Sequence, residues 1–166
     1  MSTIHDHDPL RPHRHDPNPA PPSPDPAFAL FNPDRQSEII TPDDLALLPQ
    51  TESKPLFIVT TSHGTSGPFR FGGVALFDLL QQRMALPERF QVEAVSGDGF
   101  GTRIEGDELL YPHANGPILL STHINGVPLI REQGLVRLIV PSETDDALRQ
   151  VKWVTTIRVV IPPTPA

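Results

Sequence analysis

The segment Thr60–Phe71, with the sequence TTSHGTSGPFRF, places a histidine among hydroxyl residues and glycines, directly after an apolar run. Residues of these types could form a nucleophile loop, a phosphate-binding loop or part of a metal site. Serine catalysis needs a base and an orienting third group brought together by the fold, and the adjacency of Ser62 and His63 does not supply them. The hydrolase elbow needs a leading glycine where HGTSG has histidine, and a phosphate loop needs a lysine where this segment continues with PFR. The segment therefore predicts neither site, although Arg70 could still donate hydrogen bonds to an anion.

Three further charged residues stand at positions that could bind a ligand. Asp98 lies in SGDGFG, which lacks the oxygen-ligand spacing of an EF-hand, so we predict a tight turn in which Gly97 or Gly99 has a positive φ. Arg137 and Lys152 each interrupt an apolar, strand-like segment, LVRLIV and VKWVTTI. Each of these two cations either faces solvent or converges on a bound anion.

The composition excludes several classes of function. The chain of 166 residues has a formal net charge of −7, which repels nucleic acid and anionic membranes. It contains no cysteine, which excludes disulfides, zinc thiolate sites, iron–sulfur clusters and thiol nucleophiles. No apolar run approaches the roughly 20 residues of a membrane span, and the polar N-terminus lacks the apolar region of a secretory signal. We therefore expect a soluble, cytoplasmic protein that binds neither nucleic acid nor membranes.

Composition also divides the chain into segments. Residues 1–36 hold nine of the 21 prolines and four of the seven histidines, with few apolar residues. Such a segment cannot bury enough surface to offset its ordering entropy, so we predict a disordered tail with polyproline II character. Its histidines and aspartates could alternatively hold a transition metal loosely. We predict one globular domain over residues 37–161, followed by a short tail over residues 162–166.

The apolar pattern of the globular part predicts more strands than helices. The segment TPDDLALLP (41–49) has a threonine N-cap and a proline at the first helical position, which is typical of a short helix. GGVALFDLLQQRMAL (72–86) is the best amphipathic helix. No regular crossover helices separate the strands, which favours an α+β fold with mixed or largely antiparallel sheets and few helices. The predicted strands are residues 54–62, 90–97, 116–124, 134–142 and 151–161.

Four motifs occur in an order that resembles one known family. They are FGGVALFDLL (71–80), VSGDGF (95–100), INGVPLIREQGLVRLIVP (124–141) and VKWVTTIRV (151–159). Together they resemble the oxidoreductase molybdopterin-binding domain of sulfite oxidases and assimilatory nitrate reductases, over roughly residues 55–160. The resemblance implies a sulfite-oxidase-like α+β fold, in which packed β-sheets hold a pterin in a cleft between loops.

The resemblance also implies which residues hold the cofactor. In the family, a cysteine just before the GGVALFDLL helix ligates molybdenum through its thiolate, and its counterpart here is the cysteine-free segment Thr61–Pro68. Gln133 and Gln150 stand where the family often has histidine and serine. Arg137 and Lys152 match positions at which the family holds the pterin and its phosphate. The sequence is similar to small, stand-alone bacterial members that lack the cysteine and take a free reduced pterin as a signal or cofactor.

We therefore predict a non-catalytic pterin-binding protein, a pseudoenzyme that binds a pterin or molybdopterin without molybdenum and relays pterin status to a protein partner. Two alternatives stay open: a molybdopterin-dependent oxidoreductase with a non-thiolate metal ligand, and a scaffold in which only the fold survives. Phe69, Phe71 and Phe100 are candidates for stacking on the pterin ring, Asp98 and Glu105 for binding its edge, and Trp153 is predicted to be a core residue. The predicted cofactor-binding residues are Thr61, Ser62, His63, Arg70, Asp98, Arg137 and Lys152.

Overall fold

The computed structural model describes residues 25–60, 64–142 and 149–163. Within these ranges the chain forms twelve strands, three short α-helices and a short 3₁₀ helix, and none of the helices is long and apolar enough to cross a bilayer. The predicted α+β class with few helices is confirmed. The elements are β1 (Phe28–Phe31), β2 (Ser37–Ile40), α1 (Pro42–Ala46), β3 (Thr51–Glu52), β4 (Leu56–Thr60), β5 (Gly64–Phe69), β6 (Phe71–Ala75), α2 (Leu76–Arg83), β7 (Gln91–Ser96), β8 (Gly101–Glu105), α3 (Gly106–Leu110), β9 (Leu119–Ile124), β10 (Val127–Pro128), the 3₁₀ helix (Arg131–Gln133), β11 (Arg137–Ile139) and β12 (Val154–Val160).

The first sheet, sheet A, has the strand order β2-β1-β12-β7-β8. Strand β1 runs parallel to β12, while the remaining neighbours in this sheet are antiparallel. Sheet A is therefore mixed, as predicted. Its middle strand, β12, comes from the end of the chain, so the sheet joins segments that are distant in sequence.

The second sheet, sheet B, has the strand order β10-β9-β6-β3, and β11 also pairs with β9. All of these pairings are antiparallel. Strands β4 and β5 form a separate two-stranded antiparallel hairpin, in which Thr60 pairs with Gly64. This hairpin is the element that positions the candidate site.

Two apolar clusters lie on opposite faces of sheet B. Because successive residues of a strand point to opposite faces, Leu120 and Leu138 join the main core with α2 and the apolar side of sheet A, while Leu119 and Ile139 do not. These last two residues pack with Phe71 of β6 and with Leu56 and Ile58 of the hairpin. The hairpin therefore covers the outer face of sheet B, which we call the hairpin face.

The prediction that residues 1–36 form a disordered tail is wrong for residues 28–31. Phe28 and Leu30 alternate with less buried neighbours and are only 2% and 1% exposed, so this short stretch buries enough apolar surface to form strand β1. Pairing with β12 and β2 satisfies its backbone hydrogen bonds. Residues 1–24 and 164–166 lie outside the described residues, as does the predicted loose metal site in the tail.

Helix α2 begins at Leu76, so the prediction of a helix from residue 72 is wrong at its start. Residues Phe71–Ala75 form strand β6 instead, because the chain passes close to β9 at this point. A Cβ atom on Gly73 would lie only 2.1 Å from the carbonyl oxygen of Leu120. The glycine pair that was assigned to the helix therefore permits close strand packing.

Other local predictions have mixed outcomes. Thr41 caps α1 in a capping box, with Pro42 at the start of the helix, and Gly99 has φ 94°, both as predicted. Strand β12 begins only at Val154, so the prediction that Lys152 lies within a strand is wrong. The prediction that Trp153 is a core residue is wrong, because its side chain is only half-buried. Its backbone has φ 51°, and its indole N–H donates to the carbonyl oxygen of Arg131 at 2.6 Å.

Candidate functional site

The candidate site begins with a buried cation on the hairpin face of sheet B. Arg137 lies on β11, opposite Ser121 of β9, and its residue is only 7% exposed. Because Arg137 and Ile139 are two residues apart on one strand, they share the hairpin face. The guanidinium carbon of Arg137 lies 5.3 Å from the ring centroid of Phe71, within the range of a cation–π contact. The sequence placed Arg137 in a strand, and the structure adds the aromatic ring that fixes its position.

The second cation reaches the same region through an isolated antiparallel bridge. The N–H of Leu138 donates to the oxygen of Val151 at 2.7 Å, and the N–H of Val151 donates back to Leu138 at 3.1 Å. Lys152 directly follows Val151 and Arg137 directly precedes Leu138, so the bridge brings the backbone segments of the two cations together. The prediction of two cations on neighbouring strands is thus right for Arg137 and wrong for Lys152, which occupies a bend.

A buried glutamine holds this bridge in place. The side-chain oxygen of Gln150 accepts from the N–H of Val140 at 3.2 Å, and its amide donates to the oxygen of Val140 at 3.4 Å. Gln150 is 2% exposed, so the paired amide extends the strand pairing into the interior. The residue that departs from the family pattern therefore has a clear positioning role.

Gly134 allows the loop before β11 to pass close to Lys152. It has φ 111°, and a Cβ atom at this position would lie 2.9 Å from the Cβ of Lys152. The N–H of Trp153 donates to the oxygen of Gly134 at 3.0 Å, which ties the two segments together. The Nζ atom of Lys152 lies 6.0 Å from the ring centroid of Trp153. Gly134 was not among the predicted site residues, although a glycine directly before the apolar strand segment in EQGLV is a signal for such a close approach.

Asp98 lies in the β7–β8 turn, next to this region. The N–H of Gly97 donates to the oxygen of Trp153 at 2.9 Å, which brings the turn against the Lys152 segment. The carboxylate of Asp98 accepts from the N–H of Phe100 at 3.0 Å, as a turn aspartate does. These contacts explain Asp98 as a turn residue, and its proposed role at the pterin edge stays a prediction.

The three phenylalanines proposed to stack on a ligand lie in different environments. Phe71 is 0% exposed and lies beside Arg137, and Phe100 is 2% exposed in the main core, so neither ring is accessible for stacking. Phe69 is half-buried, with its ring centroid 5.9 Å from that of Phe71 in an edge-to-face arrangement. Of these three, only Phe69 offers ring surface to a ligand. Glu105 lies in sheet A, where its carboxylate accepts from the side chain of Gln91 at 2.9 Å.

Arg70 is exposed and joins β5 to β6. Its N–H donates to the side-chain oxygen of Asn125 at 2.9 Å, and the N–H of Asn125 donates to its carbonyl oxygen at 2.8 Å. These bonds fix its backbone directly before Phe71, at the edge of the hairpin face. Thr61, Ser62 and His63 lie outside the described residues, and the structure describes only the strands that they join.

Comparisons with known proteins bear on this site. A family model described as "Oxidoreductase molybdopterin binding domain" matches residues 49–165. The structure is similar to that of the sulfane dehydrogenase SoxCD from Paracoccus pantotrophus, with a TM-score of 0.62 and 20% sequence identity. The match covers 81% of this chain and 38% of that chain, so this chain spans well under half the length of that neighbour. No curated protein sequence matches the chain. The predicted sulfite-oxidase-like, molybdopterin-binding fold is confirmed.

Proposed function

Since the chain belongs to the oxidoreductase molybdopterin binding domain family, we propose that it binds a pterin beside Arg137 and does not catalyse a redox reaction. The observation that carries this proposal is the bridge between Leu138 and Val151, which brings the backbone segments of two cations, Arg137 and Lys152, together in a protein with net charge −7. Guanidinium and ammonium groups are suited to an anionic phosphate: arginine supplies a planar fork and lysine a compact charge. The proposed ligand is therefore a pterin that carries a phosphate, such as molybdopterin.

The donor set fits the organic part of this cofactor better than its metal. The chain has no cysteine to supply the thiolate that ligates molybdenum in the redox-active members that it resembles. Arg137 and Lys152 would hold the phosphate, and the half-buried ring of Phe69 would contact the pterin. A molybdenum-loaded pterin supplies two-electron redox chemistry, whereas these residues bind and orient the organic group.

Extraction of the purified protein tests this function. The full chain is made in cells that synthesise molybdopterin, and its bound small molecules are oxidised, separated and measured by pterin fluorescence and mass spectrometry. We expect about one pterin per chain, with molybdenum far below one equivalent. A protein that retains no pterin, and binds none added at micromolar concentration, would contradict the proposal.

Two lysine variants, one inside and one outside the proposed site, test whether the site itself binds the pterin. Lys152→Gln removes one cation of the proposed site and should lower pterin retention about tenfold, since a hydrogen bond to a charged group contributes roughly 1.5 kcal/mol. Lys54→Gln removes the same charge from an exposed position outside the site. Equal retention by the two variants would show that net charge, and not the site, governs binding.

A second candidate is a molybdenum oxidoreductase that uses a non-thiolate ligand. It is favoured by the place of His63 in the sequence, between the two hairpin strands that cover the face bearing Arg137. Imidazole is an established ligand for transition metals. About one equivalent of molybdenum, together with redox activity that is lost in His63→Ala, would favour this candidate over pterin binding alone.

A further inference from the structure

A cavity lies on sheet A, on strands that do not contribute to the candidate site. Its volume is about 570 Å³, and it opens between the β1–β2 turn and the end of β12. Apolar walls come from Phe31, Pro33, Val160 and Ile161, and the polar side chains include two arginines, Arg35 and Arg158. No carboxylate lines it, although the protein as a whole has a net charge of −7. The cavity is therefore a local positive region on an acidic protein.

Arg158 belongs to a row of side chains that crosses four strands of sheet A. In register, Arg103 of β8 faces Glu93 of β7, Glu93 faces Arg158 of β12, and Arg158 faces Phe31 of β1. The carboxylate of Glu93 accepts from Arg103 at 2.9 Å. The guanidinium carbon of Arg158 instead lies 5.1 Å from the ring centroid of Phe31. Stacking on this ring holds the guanidinium at the cavity wall before any ligand binds.

The β1–β2 turn holds Arg35, the second arginine that lines the cavity. It has φ 65°, and its N–H donates to the carbonyl oxygen of Asn32 at 2.9 Å. The side-chain oxygen of Asn32 also accepts from the N–H groups of Asp34 and Gln36, at 2.9 and 3.0 Å. Asp34 belongs to this turn but does not line the cavity. The turn therefore has a defined shape that presents Arg35 next to the cavity.

The acidic side chain that faces Arg158 in register is bonded to another partner. Glu93 accepts a hydrogen bond from Arg103. Among the described residues, neither the Arg35 nor the Arg158 guanidinium forms an ion pair. Two guanidinium groups on one cavity thus keep their hydrogen-bond donors directed to solvent or to a ligand.

We propose that this cavity is a binding site for a small organic anion that joins a phosphate or carboxylate to an apolar body. Arg35 and Arg158 bind the anionic group, and the apolar walls contact the body of the ligand. The volume lies within the range of about 300–1,000 Å³ that small-molecule sites occupy. This site is separate from the proposed pterin site, and the proposal does not depend on pterin binding.

Phenyl phosphate is the probe that tests the site, because it joins a phosphate to one aromatic ring. Calorimetric titration of the full chain should give saturable binding with a Kd of about 1 mM or tighter, which weakens as salt screens the charges. Benzyl alcohol, which lacks the charge, should not bind at that concentration. Inorganic phosphate, which lacks the apolar body, should bind at least about threefold more weakly.

Variants of the two arginines link this binding to the cavity. Arg158→Gln and Arg35→Asn should each weaken phenyl phosphate binding about tenfold, and asparagine is chosen because it tolerates a positive φ. Arg89→Gln removes the same charge from an exposed loop outside the cavity and should leave the Kd unchanged. Titration in a Lys152→Gln background removes a cation of the proposed pterin site, so that the binding that remains is assigned to the cavity.

Amide chemical shifts of the unaltered protein give a test that does not depend on the folding of any variant. Titrated phenyl phosphate should shift the amides of residues 31, 32, 34–36 and 158–161 before others. Absence of saturation, shifts that centre elsewhere, or equal Kd values in Arg158→Gln, Arg35→Asn and Arg89→Gln would each overturn the proposal.

Discussion

Arg137 shows what a single residue can reveal about this site. A charged side chain inside the apolar segment LVRLIV indicated either a solvent-facing residue or an anion-binding one, and sequence alone could not choose. The structure shows that Arg137 is buried beside Phe71. The contact depends on a ring that lies far away in the sequence and two strands away in sheet B. The site residues could therefore be predicted from motifs, whereas their contacts could be identified only from the three-dimensional structure.

Gly134 carries the first prediction at the residue scale. Gly134→Ala should lower the free energy of unfolding by about 2–4 kcal/mol, because its φ of 111° disfavours a side chain and the new Cβ would meet Lys152. Gly126→Ala is the matched control, since Gly126 has φ 80° but no atom within 4 Å of the added Cβ. Urea denaturation of both variants measures the difference. Equal losses would show that the contact with Lys152 has no effect.

Strands were easier to predict than their partners. The alternation of Phe90, Val92 and Ala94 predicted β7 correctly, because one face of that strand is buried and the other is not. Strand β5 was not predicted, because GTSGPF contains two glycines and a proline and most of it is exposed. Its partner β4 supplies the apolar contacts, so the hairpin could not be recognised from β5 alone.

The hairpin carries the second prediction, at the scale of the element. Ile58→Ala should destabilise the protein by about 2–4 kcal/mol, because Ile58 is 3% exposed against the hairpin face. It should also lower pterin retention, since the hairpin covers the face that bears Arg137. Phe57 directly precedes Ile58 in the strand and is 54% exposed, so Phe57→Ala should change the free energy of unfolding by less than about 1 kcal/mol. Thermal unfolding and pterin extraction of both variants check these outcomes.

Helix α3 carries the third prediction through the ion pair of Glu108 with Arg149. Burial raises the pKa of Glu108, but hydrogen bonds from Arg149 and from the N–H of Glu105 outweigh it, so the pKa lies below its usual value. A lowered carboxyl pKa stabilises the folded state above the unfolded pKa, near 4.3, and this stability is lost as pH falls through the folded-state pKa. Glu108→Gln should therefore cost roughly 1 kcal/mol at pH 7 and progressively less below about pH 4.

Urea denaturation across this pH range measures that dependence. Glu88→Gln, at an exposed loop position, serves as the control and should show no such pH-dependent difference from the unaltered protein. If the difference between Glu108→Gln and the unaltered protein stayed constant down to pH 3, the ion pair would not be its cause.

At the scale of the whole molecule, the sequence predicted the class of fold but not its connectivity. Four motifs in order were sufficient to predict the family, and the strand-rich pattern was sufficient to predict the α+β fold class. The parallel pairing of β1 with β12 was missed, because β1 is four residues long and follows a proline-rich segment. Four residues give too little alternation to predict a strand, so a strand this short is identified only once its pairing partners are known.

Phe28 carries the fourth prediction, which concerns this pairing. Phe28→Ala should destabilise the whole domain by about 3–5 kcal/mol, because the side chain is 2% exposed in the main core. Ile39→Ala, on the neighbouring strand β2 and 62% exposed, should have an effect below about 1 kcal/mol. Calorimetric unfolding distinguishes them, and a small effect of Phe28→Ala would mean that β1 is not an integral part of the domain.

The central place of β12 in sheet A has a consequence for the order in which the protein can form. Strand β12 is the last of the described strands to be synthesised, and both β1 and β7 pair with it. The hairpins β1–β2 and β7–β8 therefore emerge from the ribosome before the strand that joins them exists. Until β12 is synthesised, each of them has an unpaired edge of the kind that promotes aggregation, so β12 closes both edges at once.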